Sequence, residues 1–186
     1  LHSAKYLNHY KIMFQPQEGS TEASINWKGI MVPGLTLGNV VLCLKSEVPS
    51  TLEINQRSVG RLPLGVHGKT TNEAAQGDMG WASFEVREAQ RKILYEERLR
   101  KLESNRWAAK VFKYLYLESV DSQWRKRTTK LTSKYANHKD GEIKSIKQQV
   151  KNTEGKNWIN SVEKKQSVEL YRKWKMQIRK KDFFDN

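Results

Sequence analysis

Proline and glycine are confined almost entirely to the first 80 residues. All four prolines (Pro16, Pro33, Pro49, Pro63) and nine of the eleven glycines lie at or before Gly80; beyond Trp81 only Gly141 and Gly155 remain. Proline removes an amide donor and glycine costs backbone entropy, so both interrupt helices. The chain therefore divides into a turn-rich first part and a second part that can be long helix. We expect an all-α fold in four stretches. These are a weakly structured leader (1–26), an apolar segment with a helix-turn-helix (27–80), a helical bundle (81–136) and a basic helical extension (137–186).

Residues 27–44 include the apolar run "GIMVPGLTLGNVVLCL". Its periodicity does not separate helix from strand. It is short for a membrane span and carries Pro33, so it reads as a core segment. Ser50 with Glu53 suggests a capping box for a helix over about 51–59, stopped near Gly60, and Thr70 with Glu73 suggests another for 71–76. "SFEVREAQRKILYEERLRKLES" is the clearest helix, with Ser83 as its N-cap. Glu88→Lys92, Glu96→Arg100 and Glu97→Lys101 are i,i+4 pairs in the favourable order.

Ser104 or Asn105 can cap a helix over 106–118. Its "WAAKVFKYLYL" is apolar on most sides, which predicts the central helix of the bundle. Asp121 is placed to cap a helix over 122–136 whose inner face carries Trp124, Thr128, Leu131 and Tyr135. Ile143, Ile146 and Val150 mark a polar helix broken near Gly155. Val168, Tyr171, Trp174 and Ile178 form the stripe of a last helix over 157–181.

The stretch "GVHGKT" (65–70) has the look of a phosphate-binding loop. The full pattern requires a glycine where this chain has Pro63, and a buried strand before the loop. The preceding "LEINQRSVGRL" is too charged for a central parallel strand. The stretch therefore reads as a connection between two helices.

Charge is as unevenly placed as glycine. The net charge is +14. Residues 1–85 carry seven basic and seven acidic side chains, so the whole excess lies in 86–186. A basic half points to nucleic acid through phosphate neutralisation, with a solvated lysine-rich surface as the plainer alternative. Cys43 is the only cysteine, which rules out an intrachain disulfide and a cysteine-based zinc site. It reads as a buried structural thiol in an intracellular protein, nuclear or cytoplasmic, with no secretory leader. The missing initiator methionine and abrupt end suggest a piece of a longer chain.

No nucleophile–base arrangement and no converging carboxylate pair can be argued from spacing. The carboxylates after Trp81 read as solvated ion pairs on helix surfaces. No enzyme activity, cofactor, metal or small-molecule substrate is expected. The basic residues are more informative. Arg125, Lys126, Arg127, Lys130 and Lys134 fall opposite Trp124 and Leu131, and Lys126, Lys130 and Lys134 are successive i+4 neighbours. Arg172, Lys173, Lys175, Arg179, Lys180 and Lys181 repeat the design. Such rows repel themselves, and a polyanion would relieve the repulsion. Trp107, Trp124, Trp158 and Trp174 could stack bases, but their apolar stripes favour core packing.

The order of segments resembles a known family. Pro33 to Gly38 has the form "PxLxxG", and Leu52 to Gly65 the form "LExxQRxxxRxxLG". Thr70 to Trp81 matches "TxNEAxxGxxGW", and Phe84 to Leu99 matches "FExRxAxxKxxxxxRL". Together they resemble the region beyond the catalytic core of non-LTR (LINE-type) retrotransposon reverse transcriptases. "RWAAKVFKYLYLESVDSQWRKRT" and "KKQSVELYRKWKMQIRKKDFFDN" look like the continuation in elements called tick transposons. The resemblance covers about 27–186. It implies a helical thumb and C-terminal region that holds RNA or a primer–template by its backbone, partnered by the rest of the polyprotein. The polymerase "Y/F-A-D-D" segment is absent, so polymerase activity is not carried over. The alternative is an inactive or domesticated remnant serving only as a helical protein-interaction domain.

Overall fold

A computed structural model describes residues 25–43, 47–136 and 143–174. The fold is all-α: the described residues form eight α-helices, one π-helical turn and one 3-10 turn, with no strand. The ambiguous apolar segment is helical, as the π turn Trp27–Met31 followed by α1, Val32–Leu35. The other helices are α2 (Glu47–Arg61), α3 (Asn72–Met79), α4 (Phe84–Lys101), α5 (Trp107–Leu117), α6 (Gln123–Tyr135), α7 (Ile143–Glu163) and α8 (Glu169–Trp174). The chain divides into two compact units, and α7 contributes residues to both. Of the expected leader, residues 1–24 lie outside the described residues, as do Ile178 and the rest of the last expected stripe beyond Trp174.

The first unit holds 1–37, 46–83 and 155–186. Trp27 is fully buried and stacks on Trp81, with ring centroids 5.3 Å apart and planes 13° from parallel. Gln56 joins two segments there, accepting from Trp27 Nε1 at 3.3 Å and donating to the Ala82 carbonyl at 3.1 Å. Leu52, Val59, Ala75 and Met79 are also buried in this unit. Ser50 lies inside α2 rather than at its start, because Pro49 sits in the first turn, where its missing amide costs nothing. Gly60 does not stop α2. A Cβ there would lie 3.2 Å from Met79 and 3.3 Å from Trp81, so glycine permits a close approach.

Thr71, not Thr70, is the N-cap of α3, and its side chain makes no capping bond. The helix runs through Gly77 and ends at Gly80, whose φ of 59° is the left-handed cap that glycine favours. Trp158, Val162 and Val168 form a buried cluster with Tyr171 packed on it. Trp158 Nε1 donates to the Glu73 carbonyl at 2.9 Å, and the Tyr171 hydroxyl contacts Asp78 Oδ1 at 2.9 Å. This cluster is why α7 continues through Gly155: burial of Trp158 and Val162 outweighs the glycine's propensity cost of about 1 kcal/mol. The last expected helix is instead divided. Residues 157–163 belong to α7, and a 3-10 turn at Gln166–Val168 precedes α8.

In the second unit (38–45 and 84–154) α4 occupies the position expected of 106–118, packing against both α5 and α6. It buries Phe84, Val86, Ala89, Ile93 and Leu99. In α5 only Ala109 and Phe112 are buried. Trp107, Val111, Tyr114 and Leu117 point away from them into solvent, so that helix is amphipathic with an exposed apolar side rather than central. Arg106 is its N-cap, without a side-chain bond, in place of Ser104 or Asn105. Ser122, not Asp121, caps α6, accepting from the Arg125 amide at 3.1 Å. The inner face of α6 is as expected: Thr128, Leu131 and Tyr135 are buried, and Trp124 donates to the Val40 carbonyl at 2.8 Å. Cys43, expected to be buried, is exposed, as are Val41 and Leu42, so the end of the apolar segment is not core.

Candidate nucleic-acid interface

The basic row of α6 separates into two groups. Arg127 turns toward α4 and grips Glu88 with two prongs, Nε to Oε1 at 3.1 Å and Nη2 to Oε2 at 2.6 Å. Glu88 is buried, and its hydrogen bonds to Arg127 hold the guanidinium's pKa above its usual value. Arg125 closes the α5–α6 turn. Its Nη1 donates to the carbonyls of Leu115 and Val120, at 3.4 and 3.5 Å, and its guanidinium lies 5.2 Å above the Tyr116 ring. Both arginines were expected on an outward face; both are held within the unit.

The three lysines remain at the surface. Lys126 is 59% exposed and pairs with exposed Asp121 at 2.8 Å. Lys134 is 45% exposed and reaches Glu85 Oε2 at 2.6 Å. Lys130 is exposed and makes no ion pair among the described residues. The Lys126–Asp121 pair faces solvent on both sides and such pairs contribute little, typically below about 1 kcal/mol, so a phosphate can compete for that ammonium. Four-residue spacing keeps the three on one side of α6.

The second basic cluster is only partly within the described residues. Arg172 and Lys173 lie on α8 and are exposed; Lys173 is 3.8 Å from Glu169. Lys175, Arg179, Lys180 and Lys181 lie outside the described residues.

Acidic side chains of α4 organise the unit from inside. Glu88 and Glu96 are buried, contrary to the expectation of solvated pairs. Glu96 Oε1 accepts from Arg100 at 2.7 Å and from the Tyr116 hydroxyl at 2.8 Å. Burial, with Glu96 adjacent, raises the pKa of that phenol. Burial pushes the Glu85 carboxyl up, but hydrogen bonds from Lys134 and Tyr135 and the charges of Lys134 and Arg127 outweigh it and leave its pKa lowered. Lys92, fully buried, donates to the Leu42 carbonyl at 2.9 Å and lies 3.9 Å from Glu88. Burial lowers its pKa. The expected pairs Glu96–Arg100 and Glu97–Lys101 are formed at 2.7 and 3.1 Å.

The tryptophans fall into different environments. Trp158 is buried and Trp124 half-buried, both as core packing predicts. Trp107 is 80% exposed, against that expectation. The side chain of Trp174 lies outside the described residues.

In "GVHGKT" four of the six backbone amides are engaged locally. Gly65 N–H donates to Leu62, Val66 to Arg61 and Thr70 to His67, all to backbone carbonyls. The Lys69 amide donates to His67 Nδ1 at 3.1 Å. Arg61 then ties the turn to α3 through the Thr70 carbonyl at 2.9 Å and Asn72 Oδ1 at 2.6 Å. Among the described residues no group of His, Cys, Asp and Glu is arranged to hold a metal, and no helix is long and apolar enough to cross a membrane. Comparison with protein-family models, curated proteins and solved structures finds no match.

Proposed function

We propose that this chain is a non-catalytic helical segment of a LINE-type reverse transcriptase that holds RNA or a primer–template by its phosphate backbone. The observation carrying this reading is the exposed row Lys126, Lys130 and Lys134 on α6, within a half of the chain that holds the whole +14 excess. Arg125 and Arg127 support the row by fixing α6 against its neighbours and make no phosphate contact themselves. The remaining regions of the polyprotein are its partners, and the setting is intracellular.

Replacing the three lysines together by alanine tests the reading. Fluorescence anisotropy with a labelled RNA hairpin at low salt should show an affinity loss well beyond tenfold, with α-helical circular dichroism unchanged. Unchanged affinity rejects the proposal. A second reading, a transposon remnant acting as a protein-interaction domain, is favoured by the exposed Ile30 and Leu37 of the first unit. It predicts partner capture that persists after nuclease treatment.

A further inference from the structure

We infer that the outward side of α5 is a stacking platform for unpaired bases of a single nucleic-acid strand. The inference deepens the phosphate-binding reading above and rests on it. Trp107 is 80% exposed, Tyr114 61%, Val111 51% and Leu117 79%. Trp107, Val111 and Tyr114 fall within about a sixth of the helix circumference. The buried Ala109 and Phe112 hold the opposite side of the helix in the core, so the exposed rings are presented on a fixed element.

Charge selects the occupant. Arg106, Lys110 and Lys113 border the rings along one edge and are exposed, and the only carboxylate between Arg106 and Glu118 is Glu118 itself, past the last turn. The Lys110 ammonium lies 5.6 Å from the centre of the Trp107 ring. Aromatic faces bordered by a row of cations suit a single strand: rings take the bases and the cations take the phosphates that run beside them. Trp107 and Tyr114 are seven residues apart, about 10 Å along the axis. That is about three nucleotide steps at the stacked spacing of roughly 3.4 Å per strand, fewer if the strand is stretched. A duplex keeps its bases stacked on one another and offers the rings no face, so the platform selects unpaired segments.

The test compares a labelled oligouridylate with an abasic strand of equal length, both titrated with the full chain. Trp107→Ala and Tyr114→Ala should each weaken oligouridylate binding roughly tenfold and leave the abasic strand unaffected. Trp107→Phe should retain most of the affinity. Both aromatic rings are largely solvated, so thermal unfolding should be unchanged. If wild type binds the two strands equally and salt-dependently, the platform is wrong and the phosphate reading stands. If neither strand binds, both fail. Loss of an acidic amphipathic peptide in Trp107→Ala, with oligouridylate binding intact, would reassign this side of α5 to a protein partner and overturn the inference.

Discussion

Arg127 on α6 and buried Glu88 on α4, 39 residues apart in sequence, form a two-pronged ion pair, 2.6 Å at its shorter contact, that joins the two helices. Removing one partner of such a pair leaves the other charge buried. Arg127→Ala should cost about 3 kcal/mol of unfolding free energy, measured by urea denaturation. Arg127→Lys should recover only part of it, because an ammonium cannot supply the planar fork. RNA affinity of the folded fraction should stay near wild type, which separates this arginine from the lysine row beside it.

Glu85 gives stability an acid limb. Its pKa is lowered in the folded state, so its contribution is fully present above the unfolded carboxyl value of about 4.3 and is lost as pH falls through the folded value. Glu85→Gln should therefore flatten the loss of urea midpoint between about pH 5 and pH 3. An equally steep acid limb in that variant would show that Glu85 is not its source.

Two helical glycines should respond oppositely to alanine. At Gly77 a Cβ would lie 2.5 Å from the Tyr171 hydroxyl and 2.7 Å from Trp158. Gly77→Ala should thus destabilise by about 1–3 kcal/mol through overpacking. At Gly155 a Cβ meets nothing within 4 Å, and Gly155→Ala should stabilise α7 by about 0.5–1 kcal/mol. Thermal melts of the two variants report both signs directly.

These positions also mark what was legible in the sequence. The helical class and the start of α4 followed from the glycine and proline distribution and from periodicity, because both are local. Gly60, Gly77 and Gly155 read as helix ends, yet all three lie inside helices. At Gly60 and Gly77 glycine admits distant rings, of Trp81 in one case and of Trp158 and Tyr171 in the other, and no local pattern encodes that.

The candidate site was legible to the same degree. Spacing placed Lys126, Lys130 and Lys134 on one side of α6. Arg127 stands three residues after Trp124 and four before Leu131, so the same spacing puts it at the edge of the inner side; only its partner, Glu88, depended on tertiary packing. Apolar content alone made α5 look central. The separation of Ala109 and Phe112 from Trp107 and Tyr114 by about half a turn was the available signal that it is amphipathic.

The most direct measurement of the central claim is RNA affinity as a function of salt between about 50 and 200 mM, for wild type and for the protein with Lys126, Lys130 and Lys134 replaced by alanine. Each phosphate neutralised on a single strand adds roughly 0.7 to the slope of log affinity against log salt, so the variant's slope should be shallower by about 2. A wild-type affinity independent of salt, or an identical slope in the two proteins, would contradict the account.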